Sequence, residues 1–430
     1  MTDENLLNDF LTIQPSIRRR FPQAGEDGCG NRRIHLNSAA GTLVVDTAAA
    51  ALGESARHSN PQPGDQYPAE IATRRFHDGV RSLVADFIQA PSAEEVSFHS
   101  STTNALFNLA ISLKSFLKKE NNLIVTDLDH MANVSPWESV WGVWQGSEIR
   151  RARIDPKGFL DVEHLLSLVD RKTGLVAVTM ASNAFGSLVP LKELSARVKE
   201  KSPGCLVCVD AVHHAPHGPI DVQEIGCDFL AFSGYKLFGP MAGVLWGRLD
   251  LLEQLAPYRV ETNKNKPPHK FEQGALNNPV LASLQAALEY LLWLAAETAG
   301  SAPKPEARKD AFGLAMRAIS RYESELTRVV LEGLREMDRS KIRFYGPADL
   351  QSLPFRDPTF LFEIEGRSAS EVKAFFWSEA GIQIADGHHY SAAVYRHLKK
   401  MSLCRASLAH YNTIQEALIF LECLGHLVKS

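Results

Sequence analysis

Cysteine is scarce, with six residues in a chain of 430. That excludes a small scaffold stapled by disulfides, which needs far denser cysteine. Cys205 and Cys208 form a C-x-x-C, but the pair lies inside an apolar, strand-like run. Redox pairs of that spacing open a helix, so this one reads as core. Charge of one sign is also missing: 46 Lys and Arg against 50 Asp and Glu leave a net charge of −4. No basic footprint for nucleic acid follows from that balance. Arg18, Arg19 and Arg20 form a short basic run that reads as a solvated helix face. No apolar stretch approaches the length of a membrane span. The opening residues, MTDENLLNDF, lack the apolar segment of an export signal. The expectation is a cytoplasmic protein with neither a nucleic-acid nor a membrane partner. No repeat of solenoid length is visible. What is present, 45% hydrophobic and 22% charged residues, is the composition of a soluble globular enzyme with an ample core.

Residues 1–30 read as a polar, partly helical entry, 34–41 as a short strand and turn, and 60–68 as a loop rich in breakers. Strand-length apolar runs then alternate with helical spacing. Strands are expected over 95–98, 123–125, 148–154, 175–180, 205–209, 228–232 and 243–246. Helices are expected over 69–88, 103–117, 136–143, 161–169, 191–199 and 278–296. This rhythm is that of an α/β protein with a mostly parallel sheet and helices on both faces. Residues 297–310 form a Pro/Ala/Lys-rich linker candidate. Beyond it come a helix over 312–337, strands over 342–345 and 359–364, and a helix over 370–379. Strands over 382–385 and 404–408 and a helix over 413–427 complete a smaller α+β layer. The expected division is a large domain of residues 31–295 and a small domain of residues 1–30 and 311–430.

The chain is organised around residues 205–247. Asp210 ends one apolar run, and Lys236 follows Ser233 at the end of the next. Open α/β sheets place ligand chemistry at the carboxyl ends of their strands. A lysine amine forms a Schiff base with a carbonyl cofactor. A carboxylate beside a pyridine nitrogen keeps that nitrogen protonated. Pyridoxal phosphate enzymes need both groups, so Lys236 is expected as the Schiff-base lysine and Asp210 as the pyridinium partner. Residues 100–104, Ser-Ser-Thr-Thr-Asn, fall between a strand and a helix. Helix-start N–H groups with hydroxyls suit an anion, and they suit an ordinary N-cap as well. Asp210, His213, His214 and His217 offer metal ligands, but their spacing matches neither a helix face nor a zinc pattern, so no metal is expected. Ser233-x-x-Lys236 with Lys172-Thr173-Gly174 imitates a serine acyl-enzyme set, in the wrong order and without its Ser-Asp-Asn.

Asp-Ala-x-His, Pro-Ile-Asp-Val and Asp-Phe-x-x-x-Ser-x-x-Lys-x-x-Gly-Pro resemble the class V aminotransferase family, especially its cysteine desulfurases and their relatives. The resemblance runs over residues 34–427. It implies a fold-type I pyridoxal phosphate enzyme: a large domain on a mostly parallel mixed sheet, a smaller α+β domain, an amino-acid substrate and a homodimer. It also implies residue roles. Ser101, Thr102 and Thr103 correspond to the cofactor-phosphate loop, with Ser101 in place of its glycine and Asn104 in place of its glutamate. Ser233 corresponds to a further phosphate contact. Residues 129–137 resemble Glu-His-His-Ala-Asn-x-x-Pro-Trp, in which the first histidine stacks on the cofactor. That maps to His130, although the sequence alone leaves a capping or core histidine open. Asn183 is then a donor to the cofactor's phenolic oxygen, with His213 near the same atom. Arg405, within residues 404–413, corresponds to the α-carboxylate clamp, a task suited to a guanidinium fork. Ala39, Ala40 and His389 fall to the substrate pocket. Residues 271–275 resemble a segment that reaches the partner's phosphate, with Ala275 in place of its threonine.

One departure matters most. Residues 384–390, Ile-Ala-Asp-Gly-His-His-Tyr, resemble the desulfurase segment Arg-Thr-Gly-His-His-Cys, whose cysteine attacks the substrate sulfur. Tyr390 stands in that place and Ala385 replaces the arginine, while Tyr235 stands where desulfurases carry a second histidine. A thiolate is a strong nucleophile, and a phenol of pKa about 10 is not. Tyr390 is therefore expected as a pocket wall or an acid/base. The leading expectation is a C–S lyase that eliminates the side chain of cysteine or a cysteine conjugate. The alternatives are desulfurase or selenocysteine lyase activity, an epimerase, an aminotransferase, and a non-catalytic binding protein on the same scaffold.

Overall fold

The computed structural model describes residues 3–58, 62–302 and 304–429. Helix Asp3–Arg19 and the short strand β1 (Ile34–His35) open the chain. Seven strands then build one sheet: β2 (Val96–His99), β3 (Asn122–Thr126), β4 (Ile149–Ala152), β5 (Thr173–Thr179), β6 (Leu206–Asp210), β7 (Phe229–Ser233) and β8 (Gly243–Gly247). Their order is β2-β8-β7-β6-β5-β3-β4. The run from β4 to β7 is parallel, and β8 is antiparallel to both of its neighbours. This is the expected mostly parallel mixed sheet of an α/β fold.

Every residue of β3, β5, β6, β7 and β8 is buried. Side chains alternate across a strand, and here each face meets its own core. Val176, Val178, Val207, Val209, Leu230 and Phe232 enter one apolar cluster. Leu175, Ala177, Leu206, Cys208, Phe229 and Ala231 enter the other. Burial on both faces explains why these runs carry no polar alternation. Cys205 and Cys208 are buried free thiols, as expected of core residues.

A second sheet contains β9 (Ile342–Tyr345), β10 (Thr359–Ile364), β12 (Ala385–Gly387) and β13 (Leu403–Ser407), antiparallel in the order β12-β13-β10-β9. Strand β11 (Ile382–Gln383) pairs in parallel with β1. Asn37 bridges to Ser407, so the segment after β1 lies against the strand that carries Arg405. Residues far apart in sequence thereby meet at one edge of the large sheet.

Four expectations need correction. The linker over 297–310 is shorter, because helix Asn278–Ala299 continues through its Ala-rich end and stops at Gly300, with φ of 68°. Alanine favours that continuation, and the left-handed cap needs glycine. The single strand over 382–385 is two, β11 and β12, divided at Ile384. The helix over 136–143 is a short α-turn, Ser135–Trp137, followed by π-helical Glu138–Gln145. Helix Asn278–Ala299 also reaches spanning length, 22 residues, so an apolar stretch of that size does exist. More than half of it is buried against helices such as Asp46–His58 and Arg308–Arg335, which makes it a core helix. Two parts of the sequence reading, Asn60 with Pro61 in the breaker-rich loop and Pro303 in the linker, lie outside the described residues.

Candidate active site

The chain passes from β3 outward to β4 and then returns to place β5 on the other side of β3. Such a reversal opens a crevice at the carboxyl ends of the strands. The carboxyl ends of β2, β3, β5, β6 and β7 and the segments just beyond them carry Ser101, His130, Asn183, Asp210 with His213, and Ser233 with Lys236. All of them line one cavity of about 340 Å³, together with Ala40, Thr102, Thr103 and Tyr235. A wider outer cavity of about 700 Å³ adds Ala39, His389, Tyr390 and Arg405. Every residue expected at the site therefore borders one of two adjoining cavities.

Lys236 is only 5% exposed, and its Nζ donates to the Ala39 carbonyl at 2.7 Å. Burial, with Arg405 nearby, pulls its pKa from 10.5 down to about 7 against the opposing effect of Asp210. Asp210 is the last residue of β6 rather than a loop residue. Burial lifts its pKa to about 6, although the Val212 N–H at 2.9 Å and Lys236 both favour the anion. A cationic ring nitrogen is the partner such a carboxylate lacks.

His130 is both a cap and a wall. Its Nδ1 accepts from the Ala132 N–H at 3.0 Å, while its ring lines both cavities. Burial, then Lys236 and Arg405, push its pKa down to about 4, so the ring is neutral. Below it Asp129 accepts from Thr126 and, at 2.7 Å, from Asn133. Burial raises that carboxyl to about 8.

The hydroxyls are more committed than the sequence suggests. Ser101 Oγ caps helix Thr102–Ser112 by accepting from the Asn104 N–H. Thr102 Oγ1 donates to the Phe232 carbonyl at 2.8 Å and meets Ser233 Oγ at 2.6 Å. Free backbone N–H groups at the helix start and Thr103 are left for an anion. The neighbouring strand must be bare at this point: a Cβ on Gly243 would lie 2.2 Å from the Ser101 carbonyl carbon.

Asn183 is likewise engaged. Its Nδ2 donates to the His389 carbonyl at 2.8 Å, its Oδ1 accepts from Ser391, and its own carbonyl accepts from Arg405 Nη1 at 2.8 Å. One amide hydrogen remains for a ligand. Arg405 is buried, its Nε has no partner, and burial pulls its pKa down to about 10. His213 Nδ1 and His389 Nε2 are also buried without partners. Tyr390 is 69% exposed at the mouth, with its ring 5.7 Å from that of His130. His389 and Tyr390 are consecutive non-glycine residues at φ of 51° and 56°. Such backbone is strained and persists where its surroundings hold it; the Met131 N–H bond to the Tyr390 carbonyl, at 3.0 Å, is one such hold.

His213, His217 and Asp357 bring ligand atoms within 4.8 Å of one another. His217 is already bonded to Glu323, and Asp357 to His214, so the group is a hydrogen-bonded cluster. Sequence reasoning missed Asp129 and Glu323. The signal for Glu323 was legible, since it falls between Tyr322 and Leu326 on the apolar stripe of its helix.

The residues present fit pyridoxal phosphate. An amine that titrates near pH 7, a buried carboxylate short of a cation, a flat neutral ring, a helix start and unpaired donors surround one cavity. This combination on a fold-type I scaffold defines a pyridoxal phosphate-dependent enzyme. The class V aminotransferase pattern matches residues 34–304 and 311–420, and the chain belongs to that family. It is 33% identical over 416 residues to a cysteine desulfurase of Pectobacterium atrosepticum, covering 93% of this chain and 94% of that protein. A Serratia proteamaculans cysteine desulfurase is 32% identical over the same shares of the two chains. Among solved structures, an apo cysteine desulfurase of Thermococcus onnurineus superposes with a TM-score of 0.83 and 26% identity, covering 96% of this chain and 98% of that one. A desulfurase of Escherichia coli, 23% identical with a TM-score of 0.79 over 97% and 98% of the two chains, shares the fold.

The bound cofactor supplies an aldehyde for amino groups and a ring that draws electrons from the α-carbon. An amine captures the aldehyde only when unprotonated, which for Lys236 means above about pH 7. Apoprotein should therefore take up pyridoxal phosphate at a rate that climbs through neutrality and levels near pH ~8. Stopped-flow absorbance checks this, and a rate still climbing at pH ~9 would show an amine of ordinary pKa.

Proposed function

We propose that this enzyme cleaves the carbon–sulfur bond of cysteine or a close analogue, passing sulfur to an external thiol and leaving alanine. The observation that carries the reading is the juxtaposition of buried Lys236 with the unpaired guanidinium nitrogen of Arg405. The guanidinium takes the substrate carboxylate as a charge-assisted pair. That anchorage presents the α-proton to the Lys236 nitrogen, whose pKa of about 7 leaves a large unprotonated fraction able to accept it near neutral pH. Asp210 holds the ring nitrogen's proton as negative charge develops. The desulfurase relatives, 31–33% identical over nearly the whole chain, support this outcome above the elimination that leads in the sequence reading.

The thiol must come from outside. Among the described residues no cysteine lines either cavity, and Tyr390 occupies the mouth. Its exposure and the outer cavity leave room for a small thiol to approach. The same tyrosine favours a second reading, elimination to pyruvate, ammonia and sulfide, which needs no acceptor. Product analysis with cysteine and an excess of a small thiol decides between them. Alanine in step with thiol persulfide or sulfide is expected. Pyruvate with ammonia would establish elimination, and a D-amino acid alone would contradict both.

A homodimer is part of the proposal. Met241, 73% exposed, borders the inner cavity, and the large apolar side chains of Tyr258 and Val260 are exposed as well. Sedimentation at assay concentration should give a dimer, and an active monomer would exclude it.

A further inference from the structure

The turn after β6 carries three buried imidazoles, His213, His214 and His217, and the cofactor cavity uses only the first. His213 Nε2 lies 3.3 Å from Thr359 Oγ1, and its Nδ1 has no partner. The His217 ring stands behind it, with centroids 5.4 Å apart. His217 Nδ1 meets Glu323 Oε2 at 2.8 Å, and both side chains are 2% exposed. Glu323 projects from helix Arg308–Arg335. A carboxylate, an imidazole and a second imidazole therefore run in series from that helix to the cavity wall.

Packing does not account for the pair. Burying two ionisable groups carries a desolvation cost that an apolar pair of similar volume avoids. Burial pushes the Glu323 carboxyl up to about 7, against the effects of His217 and the His410 backbone N–H. What the pair holds that an apolar pair lacks is a proton close to His213.

The surrounding charges decide where that proton sits. Burial opposes charge on His217, yet Glu323 from its helix and Asp357 from the segment before β10 lift its pKa above the ordinary value. Lys236 acts against them. His214 is taken by Asp357 at 3.1 Å. His410, bonded to the Tyr290 hydroxyl at 2.6 Å, is pushed down to about 3 by burial and stays neutral. Burial, then His217, Lys236 and Arg405, hold His213 well below its ordinary value.

We propose that His217 and Glu323 are positioning residues for the cofactor site, keeping a proton beside His213 and so holding that ring uncharged. Neither residue lines the inner or the outer cavity; both act through His213 and through the field at Lys236. The proposal is independent of which bond of the substrate is cleaved. A charged His217 disfavours a proton on the Lys236 nitrogen, because like charges repel.

The test is a pH titration of the visible absorption band of the lysine-bound cofactor, without substrate, in the holoenzyme. Glu323→Gln keeps the size of the side chain but removes the carboxylate, so His217 loses its proton. The midpoint should rise by about half a pH unit or more. Glu323→Asp keeps the charge and should stay near the wild-type midpoint. His217→Gln cannot carry the charge and should show the same rise, which keeps the test decisive if Glu323→Gln does not fold. Midpoints that superpose on wild type in a folded Glu323→Gln or His217→Gln protein would overturn the proposal.

Discussion

The site depends on the removal of one lysine amine from water. Lys236 sits at the carboxyl edge of a sheet whose central strands are buried on both faces, with one carbonyl, that of Ala39, as its hydrogen-bond acceptor. An ammonium in that position loses its hydration, and Arg405 adds repulsion. The protein answers by releasing the proton near neutral pH, which turns an ordinary surface cation into a nucleophile and a base. Asp210 feels the same burial with the opposite sign, and its carboxyl rises toward 6. Each is poised for a charged partner, Asp210 for a ring nitrogen and Arg405 for a carboxylate.

This poise requires rigid surroundings, and they come from both sheets. Strands β5, β6 and β7 deliver Asn183, Asp210 and Lys236 at or just past neighbouring strand ends on one edge. Strand β13 brings Arg405 from the smaller sheet, where the segment after β1 is bridged to it through Asn37 and Ser407. Asn183 links the two halves: its carbonyl accepts from Arg405, and its amide grips the 389–391 loop. Asn183 thereby couples that loop to Arg405. Behind the floor, His217 and Glu323 place a second buried charge balance against the first.

Much of this was legible in the residues. The uninterrupted apolar runs ending at Asp210 and Ser233 marked strands buried on both faces, and their carboxyl ends located the cavity. The boundary near Ala299 was misread because the linker-like composition of 297–310 was weighed above the helix propensity of alanine, and the division at Ile384 because it depends on β11 and β12 pairing with different strands. The hydroxyls of Ser101, Thr102 and Ser233 were legible as a cluster. Their commitment to one another and to the Phe232 carbonyl was not, since it depends on how closely β7 and β8 approach the helix start. Asn183 shows the same limit: its type announced a donor, but its grip on His389 and Ser391 joins segments about 200 residues apart. Glu323 was legible as a charge on the apolar stripe of its helix, but its pairing with His217, 106 residues away, was not.

The central claim is that Lys236, its pKa brought down to about 7 by burial, carries the cofactor. Holoenzyme reduced with borohydride, digested and mapped by mass spectrometry tests it directly. The account predicts a pyridoxyl group on the peptide containing Lys236. Finding it on another lysine, or finding visible-absorbing protein with no lysine labelled, would contradict the account.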